Sequence, residues 1–544
     1  MAGSSVTSHE VALRTLQDIL LDFNIPLPTS EKGPTISFIG GIPPVSETKS
    51  EKINLSLIGT IPALANAVTA AQIWEARGGK RQCVESDLRR GHNYIDPDIG
   101  MTPSLNGQEI PLDMVAGNPF LFNIFETRDG RSVVLSAVYV DLVYRWSAFL
   151  GCSVAESAVR NAVRKWNSEE LEVAAAAAGM PMAICQTEES WSSHPQGSHL
   201  AQLPWVPTEP AKSLQPITEN IPWSYLPDSC HRPLSGIKVL CLTHAIAGPS
   251  AGRTLAEHGA SVLQIMFTHG FEHPFVYTYA NLGTASSRLN LHRGSDVSRL
   301  RDLVGQAHVW IDSYRANAIS KFGFGEEDLR RINPGLIVCR TRCYGTTGPW
   351  ASKPGFDMQG SASSGMMAVM GEGEEDAKPR WPPGMVINDY TTGYATALAV
   401  QSVLLKRFTG KTDPAIGWNI SPSLCGTAMG ILKYFKTSRF GAVQDSGSRA
   451  LPPEMLQGQT NLGYLKTLAP LPKMSLTPLA YELCILQTIG SSRPVFPGFD
   501  DGYDVLALDP MRKDEVAESF VKGSKDKIER LLHLGQQARA KFET

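Results

Sequence analysis

The sequence has almost no charge imbalance: 50 basic and 53 acidic residues in 544 leave a net charge of −3. It shows no basic stripe with interleaved aromatics, so the electrostatic signature of nucleic-acid or anionic-membrane binding is missing. Cysteine supplies no framework. The nine are scattered, and only Cys339 and Cys343 in "IVCRTRCYG" lie close together, on one face of an expected strand. A metal site would want more thiols or nearby histidines at ligand spacing, so buried reduced thiols of a cytosolic protein are the reading that fits. "MAGSSVTSHEVALRTLQDILLDF" lacks the basic block and apolar run of a secretory signal. "KFET" is no peroxisomal address, and no stretch is expected to reach the ~20 apolar residues of a membrane span. These absences lead to an expectation of a soluble, cytoplasmic protein with neither nucleic acid nor membrane as partner.

What is present is ordinary globular composition, 42% hydrophobic and 19% charged, in a chain long enough for several domains. Residues 1–50 form an N-terminal extension with an amphipathic helix, its apolar face built by Val11, Leu13, Leu16, Ile19, Leu20 and Leu21. Region 51–204 reads as α+β. "LFNIFETRDGRSVVLSAV" predicts a hairpin turning at Asp129-Gly130, and "NSEELEVAAAAAG" a helix stopped by Gly179. The Pro- and Trp-rich stretch 200–236, centred on 205–232, predicts an extended linker. From 233 to 411 strands and helices alternate: "GIKVLCL", a turn at "AGPS", a helix "AGRTLAEHGA", then "SVLQIMF", "HVWIDSY" and "LIVCRTRCYG". That order predicts an α/β, Rossmann-like doubly wound parallel sheet. The first turn has no G-x-G-x-x-G, so a nicotinamide or flavin dinucleotide is not implied. The remainder, 412–544, reads as a divergent tail.

"LIGTIPALANAVTAAQIWEARGGKRQCVESDL" (57–88) echoes "INDYTTGYATALAVQSVLLKRFTGKTDPAIGWNISPSL" (387–424). Aligned on their Gly-Lys pairs, Asp389 falls opposite Ile58. From local chemistry alone, Asp389 before an apolar helix is an N-cap, worth ~1 kcal/mol.

Three blocks then change its meaning: "PLSGIKVLCLTHAIAGPSAGRTLAEHGASVLQI", "GFGEEDLRRINPGLIVCRTRCYGTTGPWASKPGFDMQGSASSGMMAVMG" and "NDYTTGYATALA". Together they resemble the family III CoA-transferases (the CaiB/BaiF family) over 233–411. "GGKRQCVESDLRRG", "FETRDGRSVVLSAVYVDLVYRWSAFLG" and "WNSEELEVAAAAAGMPMAICQTEESWSSHPQG" resemble that family's later, smaller domain, so the order is permuted or partly duplicated. The resemblance implies a family III fold, an interlocked homodimer, and CoA transfer from an acyl-CoA to a small carboxylic acid with no permanently bound cofactor. It makes Asp389 the nucleophile that forms an acyl anhydride. Asp357 in "PGFDMQG" becomes a second carboxylate, the acid/base position of relatives that racemise α-methylacyl-CoA esters. That racemase alternative lacks a histidine between Phe322 and Lys353.

For coenzyme A the resemblance points to His292, Arg293, Arg315 and Lys321, with Tyr344, Gly345 and the loop "GEGEED" (371–376) as oxyanion supports or a lid. The family's usual basic run is replaced by "NLGTASS" (281–287). A CoA-binding protein without turnover is therefore a further alternative.

Overall fold

The computed structural model describes residues 6–95, 102–110, 117–121, 123–212, 222–227, 230–267, 272–384, 386–440, 448–481 and 485–498. Helix α1 (Ser8–Asp22) opens on a capping box at Thr7 and buries Val11, Leu16, Ile19 and Leu20. Strand β1 (Thr35–Ile39) is followed by α2 (Leu55–Ala76) and β2 (Cys83–Asp87), which pairs parallel with β1. Contrary to the sequence reading, α2 is long and apolar enough to cross a membrane by length and composition. It serves as a core helix, with 94% of its apolar window buried inside the protein.

The smaller α+β unit holds the expected hairpin, β3 (Phe125–Glu126) and β4 (Ser132–Leu135), with Gly130 at φ 74° in the turn. Helices α3 (Val140–Leu150) and α4 (Ser168–Ala177), the short helix Glu156–Val163 between them and strand β5 (Met182–Ile184) belong to it as well. Its core contains Phe120, Phe125, Val133, Trp146, Val163 and Leu171. Asn167 makes no side-chain cap on α4; Asp129 from the hairpin turn accepts from the Ser168 backbone N–H (3.0 Å) and hydroxyl (2.8 Å) instead.

The expected linker contributes a strand. β6 (Thr208–Pro210) pairs antiparallel at the edge of the main sheet, while residues 213–221 lie outside the described segments. That sheet continues with β7 (Lys238–Leu242), α5 (Ala247–Glu257), β8 (Ser261–Phe267), β9 (Ala285–Leu289), α6 (Gly294–Gln306), β10 (Val309–Asp312), α7 (Glu326–Ile332) and β11 (Ile337–Arg340). Then come α8 (Asp357–Ser363), α9 (Ile387–Phe408), β12 (Trp418–Ile420) and α10 (Leu424–Phe435). The sheet order is β9-β8-β7-β10-β11-β12-β6, with every pair parallel except the last. The central strands are near-continuous buried apolar runs, as a sheet covered on both faces requires.

Two sequence boundaries move. "AGPS" is the first turn of α5 rather than a separate turn, and β12 and α10 extend the large unit beyond residue 411. Past it, Met455–Thr460 and Gly463–Leu468 pair antiparallel and extend onto Ser104–Leu105, while Lys473–Met474 joins β2. Residues 499–544 of the tail lie outside the described segments.

The two halves are packed together. Asn66 Nδ2 of α2 donates to the Tyr394 carbonyl of α9 (3.0 Å), and Gln401 Nε2 donates to Asn66 Oδ1 (2.8 Å). The smaller unit rests on α8, where Gln359 Nε2 donates to Ser136 Oγ (2.7 Å) beside a shared apolar patch of Leu121, Val134, Met358 and Met367.

Candidate active site

The chain lays β8 and β9 on one side of β7, then returns to place β10 and β11 on the other. The carboxyl ends of β7 and β10 therefore diverge at a topological switch point, where open α/β sheets take ligands. A cleft of ≈ 120 Å³ lies there. His244 and Ala245 line it after β7, Ser313 and Arg315 after β10, Thr341 to Cys343 after β11, and Asp389 from α9.

Asp389 is the third residue of α9, not its cap. Val386 occupies the cap position and makes no side-chain bond. The cap comes from another element: Asp357, first residue of α8, accepts the Asp389 backbone N–H on Oδ2 (2.9 Å) and the Asn388 side-chain amide on Oδ1 (3.0 Å). Asn388 Nδ2 also lies 2.7 Å from Ser361 Oγ. A side-chain acceptor from outside the helix satisfies an orphan N–H as well as an internal cap does. Gly393 explains the small residue of "NDYTTG". A Cβ there would lie 2.6 Å from Ser250 Cβ and 3.2 Å from the Ala247 carbonyl, so α5 and α9 meet only across glycine.

The two carboxyls are both buried, Asp357 at 1% and Asp389 at 9% exposure. Burial pushes Asp357 up to about 7, against the lowering effect of the N–H groups it accepts. Asp389 is raised well above the usual range by burial, then by the charges of Asp357 and Glu272. Asp357 has the donors and keeps its charge more easily. The ionised form is therefore better supported on Asp357 than on Asp389.

Cations face them. Arg342 pairs with Asp312 (2.7 Å), and Arg315 Nη2 donates to the Gly179 carbonyl of the smaller unit (2.9 Å). Lys353 also lines the cleft, 2.8 Å from Glu172 of α4 and 3.4 Å above the Trp350 ring. Its ammonium is lowered by burial, partly offset by Glu172. Burial, then Arg342 and Arg315, pull His244 down to about 4, so its ring is neutral at physiological pH.

Of the residues expected from sequence, Asp389, Asp357 and Arg315 come together. His292, after β9, and Lys321, in the helical segment Ser320–Phe324, meet around the Phe322 ring (5.1 and 5.0 Å), outside the cleft lining. Arg293 is the residue preceding α6. Tyr344, expected to offer its backbone amide, is buried at 1% exposure with its carbonyl accepting from Gln196 Nε2 (2.8 Å), and it does not line the cleft. Gly345 lines a separate cavity of ≈ 540 Å³ with Trp205, Met429 and Tyr434. The loop 371–376 is exposed apart from Gly371 and does not line the cleft. Cys343 lies beyond the end of β11 rather than on one strand with Cys339.

Sequence reasoning missed His244, Arg342, Lys353, Glu272 and Tyr139. The first two stand two residues beyond the ends of strands β7 and β11, a positional signal present in the sequence. Tyr139 arrives from the other half of the chain and leaves no local mark.

Residues 234–452 match the model of CoA-transferase family III. They form a family III CoA-transferase domain. Among curated relatives, the chain is 37% identical over 185 residues to the acetyl-coenzyme A transferase nodX of Hypoxylon pulicicidum, covering 33% of this chain and 31% of that protein. It is 33% identical over 193 residues to mouse succinyl-CoA:glutarate CoA-transferase, covering 33% of this chain and 44% of that one. The chain thus spans about a third to less than half of these relatives' length. A crystal structure of Rv3272 from Mycobacterium tuberculosis is 31% identical with a TM-score of 0.33, over 37% of this chain and 56% of that chain.

Proposed function

We propose that the protein transfers CoA from an acyl-CoA thioester to a small carboxylic acid, with Asp389 as the nucleophile. The observation that carries this reading is one carboxyl, on the first turn of a helix, facing a cleft lined by Arg315, Arg342 and Lys353 at the switch point of the sheet. The deprotonated Asp389 oxygen attacks the thioester carbon. The C–S bond breaks, and its electron pair leaves with sulfur as CoA thiolate. The thiolate then attacks the aspartyl carbon of the mixed anhydride, releasing the donor's carboxylate and leaving an aspartyl thioester. The acceptor carboxylate displaces CoA to form a second anhydride, and thiolate attack on the acceptor carbon returns Asp389 to a free carboxylate.

The α9 N-terminus and the cationic wall favour the negative charge each step develops. Arg342 and Lys353 also supply basic groups that "NLGTASS" lacks, which supports turnover over CoA binding alone. The names of the relatives, acting on succinyl-CoA with glutarate and on acetyl-CoA with oxalate, agree with small acids, as does the small cleft. Homodimer formation and a cytoplasmic location stay part of this proposal.

A racemase reading gains one observation: His244 lines the cleft with Asp389 and supplies the histidine the local sequence lacked. Incubation with acetyl-CoA followed by hydroxylamine and peptide mass analysis separates the readings. Transfer predicts a hydroxamate on Asp389. Deuterium exchange at the α-carbon of an acyl-CoA without that adduct would favour racemisation. CoA binding with neither would leave a binding protein.

A further inference from the structure

Behind His244 lies a buried network that neither carboxyl of the pair uses. Glu272 accepts the Ala245 backbone N–H (2.6 Å) and the His273 backbone N–H (3.1 Å). The Tyr139 hydroxyl lies 3.3 Å from both Glu272 oxygens and 3.3 Å from His244 Nδ1. Tyr139 precedes α3 in the smaller unit and stacks on His273 with ring centroids 5.8 Å apart. Ala245 sits at φ 58°, a left-handed conformation costly for a residue with a Cβ, and its N–H points at Glu272. The His244 backbone N–H donates to Ser313 Oγ (3.0 Å), so the turn is pinned from both sides. Nδ1 is committed to Tyr139, and Nε2 makes no hydrogen bond to another described residue.

We infer that His244 is a base for the thiol of coenzyme A, and that Tyr139 and Glu272 are positioning residues that set which of its ring nitrogens carries the proton. The inference rests on the transferase reading of the same cleft. An ionised Glu272 only accepts, so Tyr139 donates its O–H to it. The phenol oxygen then accepts Nδ1–H, and Nε2 is left as a lone pair on the cleft wall. When free CoA returns as its thiol to an acyl group held on Asp389, the reverse of the first step, its proton passes to Nε2, giving the thiolate that attacks, and the C–S bond forms. The bond to the Asp389 oxygen breaks and its electron pair returns to the carboxylate. The imidazolium produced is offset by Glu272 through Tyr139, an arrangement of nucleophile, base and a third group that orients the base.

The network is sensitive to pH. Burial pushes Glu272 up to about 7, against its bonds from Ala245, His273 and Tyr139. Asp389 also senses the Glu272 charge, Tyr139 is raised by burial and Glu272 and stays a neutral phenol, and Arg342 and Arg315 disfavour a charged His244. Tyr314 packs on His244 with centroids 4.8 Å apart and is likewise held neutral by burial. Once Glu272 is protonated it donates to Tyr139 and the chain of bonds reverses. Nε2 then carries the hydrogen, and the base is lost.

The test is nitrogen-15 NMR of the full chain labelled at histidine, with His244 assigned by His244→Gln. Above neutral pH the wild type is expected to show protonated Nδ1 and bare Nε2, inverting as the pH falls through about 7. Tyr139→Phe should abolish that inversion while His244 stays neutral. The same substitution should slow return of the acyl group from Asp389 to CoA by ~10–100-fold with little change in KM for CoA, and the double variant with His244→Gln should lose nothing more. A His244 tautomer that responds to pH identically in wild type and Tyr139→Phe overturns the inference, as does an additive loss in the double variant. The NMR arm needs no turnover. Absence of any adduct on Asp389 would sink the transferase reading while the NMR result still decides the network.

Discussion

Helices α2 and α9 echo each other in sequence, pack against each other, and end their first turns in opposite ways. Asn54 caps α2 itself, accepting the Leu57 N–H at 3.0 Å, and Ile58 sits behind it fully buried. The close approach of Gly59 to the Gly91 carbonyl leaves no room there, since a Cβ on Gly59 would lie 1.9 Å from that oxygen. Helix α9 has no cap of its own and borrows the Asp357 carboxyl, leaving Asp389 facing a cleft. A self-capped N-terminus closed by glycine packing is scaffold. An N-terminus capped from outside stays open for chemistry, with two buried carboxyls held against electrostatic repulsion as the cost.

The largest expected effect removes the proposed nucleophile. Asp389→Asn should lower acyl transfer by at least ~10³-fold, measured as hydroxamate formation with acetyl-CoA, because the nucleophilic oxygen is gone. Placing the missing acid on the other helix should restore nothing. Ile58→Asp buries an unpaired charge and is expected to cost about 3–5 kcal/mol in a denaturant titration.

Next comes the coupling between the carboxyls. Asp357→Asn removes one charge that raises Asp389, so the acidic limb of the acylation pH profile should move to lower pH. An unmoved limb would show that the pair does not interact.

Stability should report the same strain. Both carboxyl pKa values are raised in the folded state, so the stability this confers is present at acid pH and is lost as the pH rises through about 7 for Asp357. Asp389→Asn should therefore raise Tm above neutral pH, by ~1–3 kcal/mol in unfolding free energy, and change little in acid. The smallest effect belongs to the scaffold helix: Asn54→Ala should cost ~1 kcal/mol while acyl transfer is unchanged.

The sequence carried the parts of this picture that are local. Buried apolar runs marked the strands, and the family-like blocks brought Asp389 and Asp357 to one place. Local chemistry alone placed Asp389 as a cap, because an acid beside a helix start looks the same whether it caps the turn or is presented by it. Only the Asp357 oxygen 2.9 Å from its N–H separates the two. β6 was hidden because an edge strand of three residues ending in proline has no periodicity to read. Tyr139, Glu272 and the Lys353–Glu172 pair join segments distant in the chain, so no window of sequence holds both partners.

The central claim is that an Asp389 oxygen becomes the bridge of an acyl anhydride. Turnover of acetyl-CoA with an acceptor acid labelled with heavy oxygen in its carboxylate, followed by mass analysis of the peptide containing Asp389, tests it most directly. Attack by the acceptor on an aspartyl thioester leaves one of its oxygens on the enzyme, so the account predicts heavy oxygen on Asp389 and not on Asp357. Labelled acyl-CoA product with an unlabelled Asp389 would contradict it.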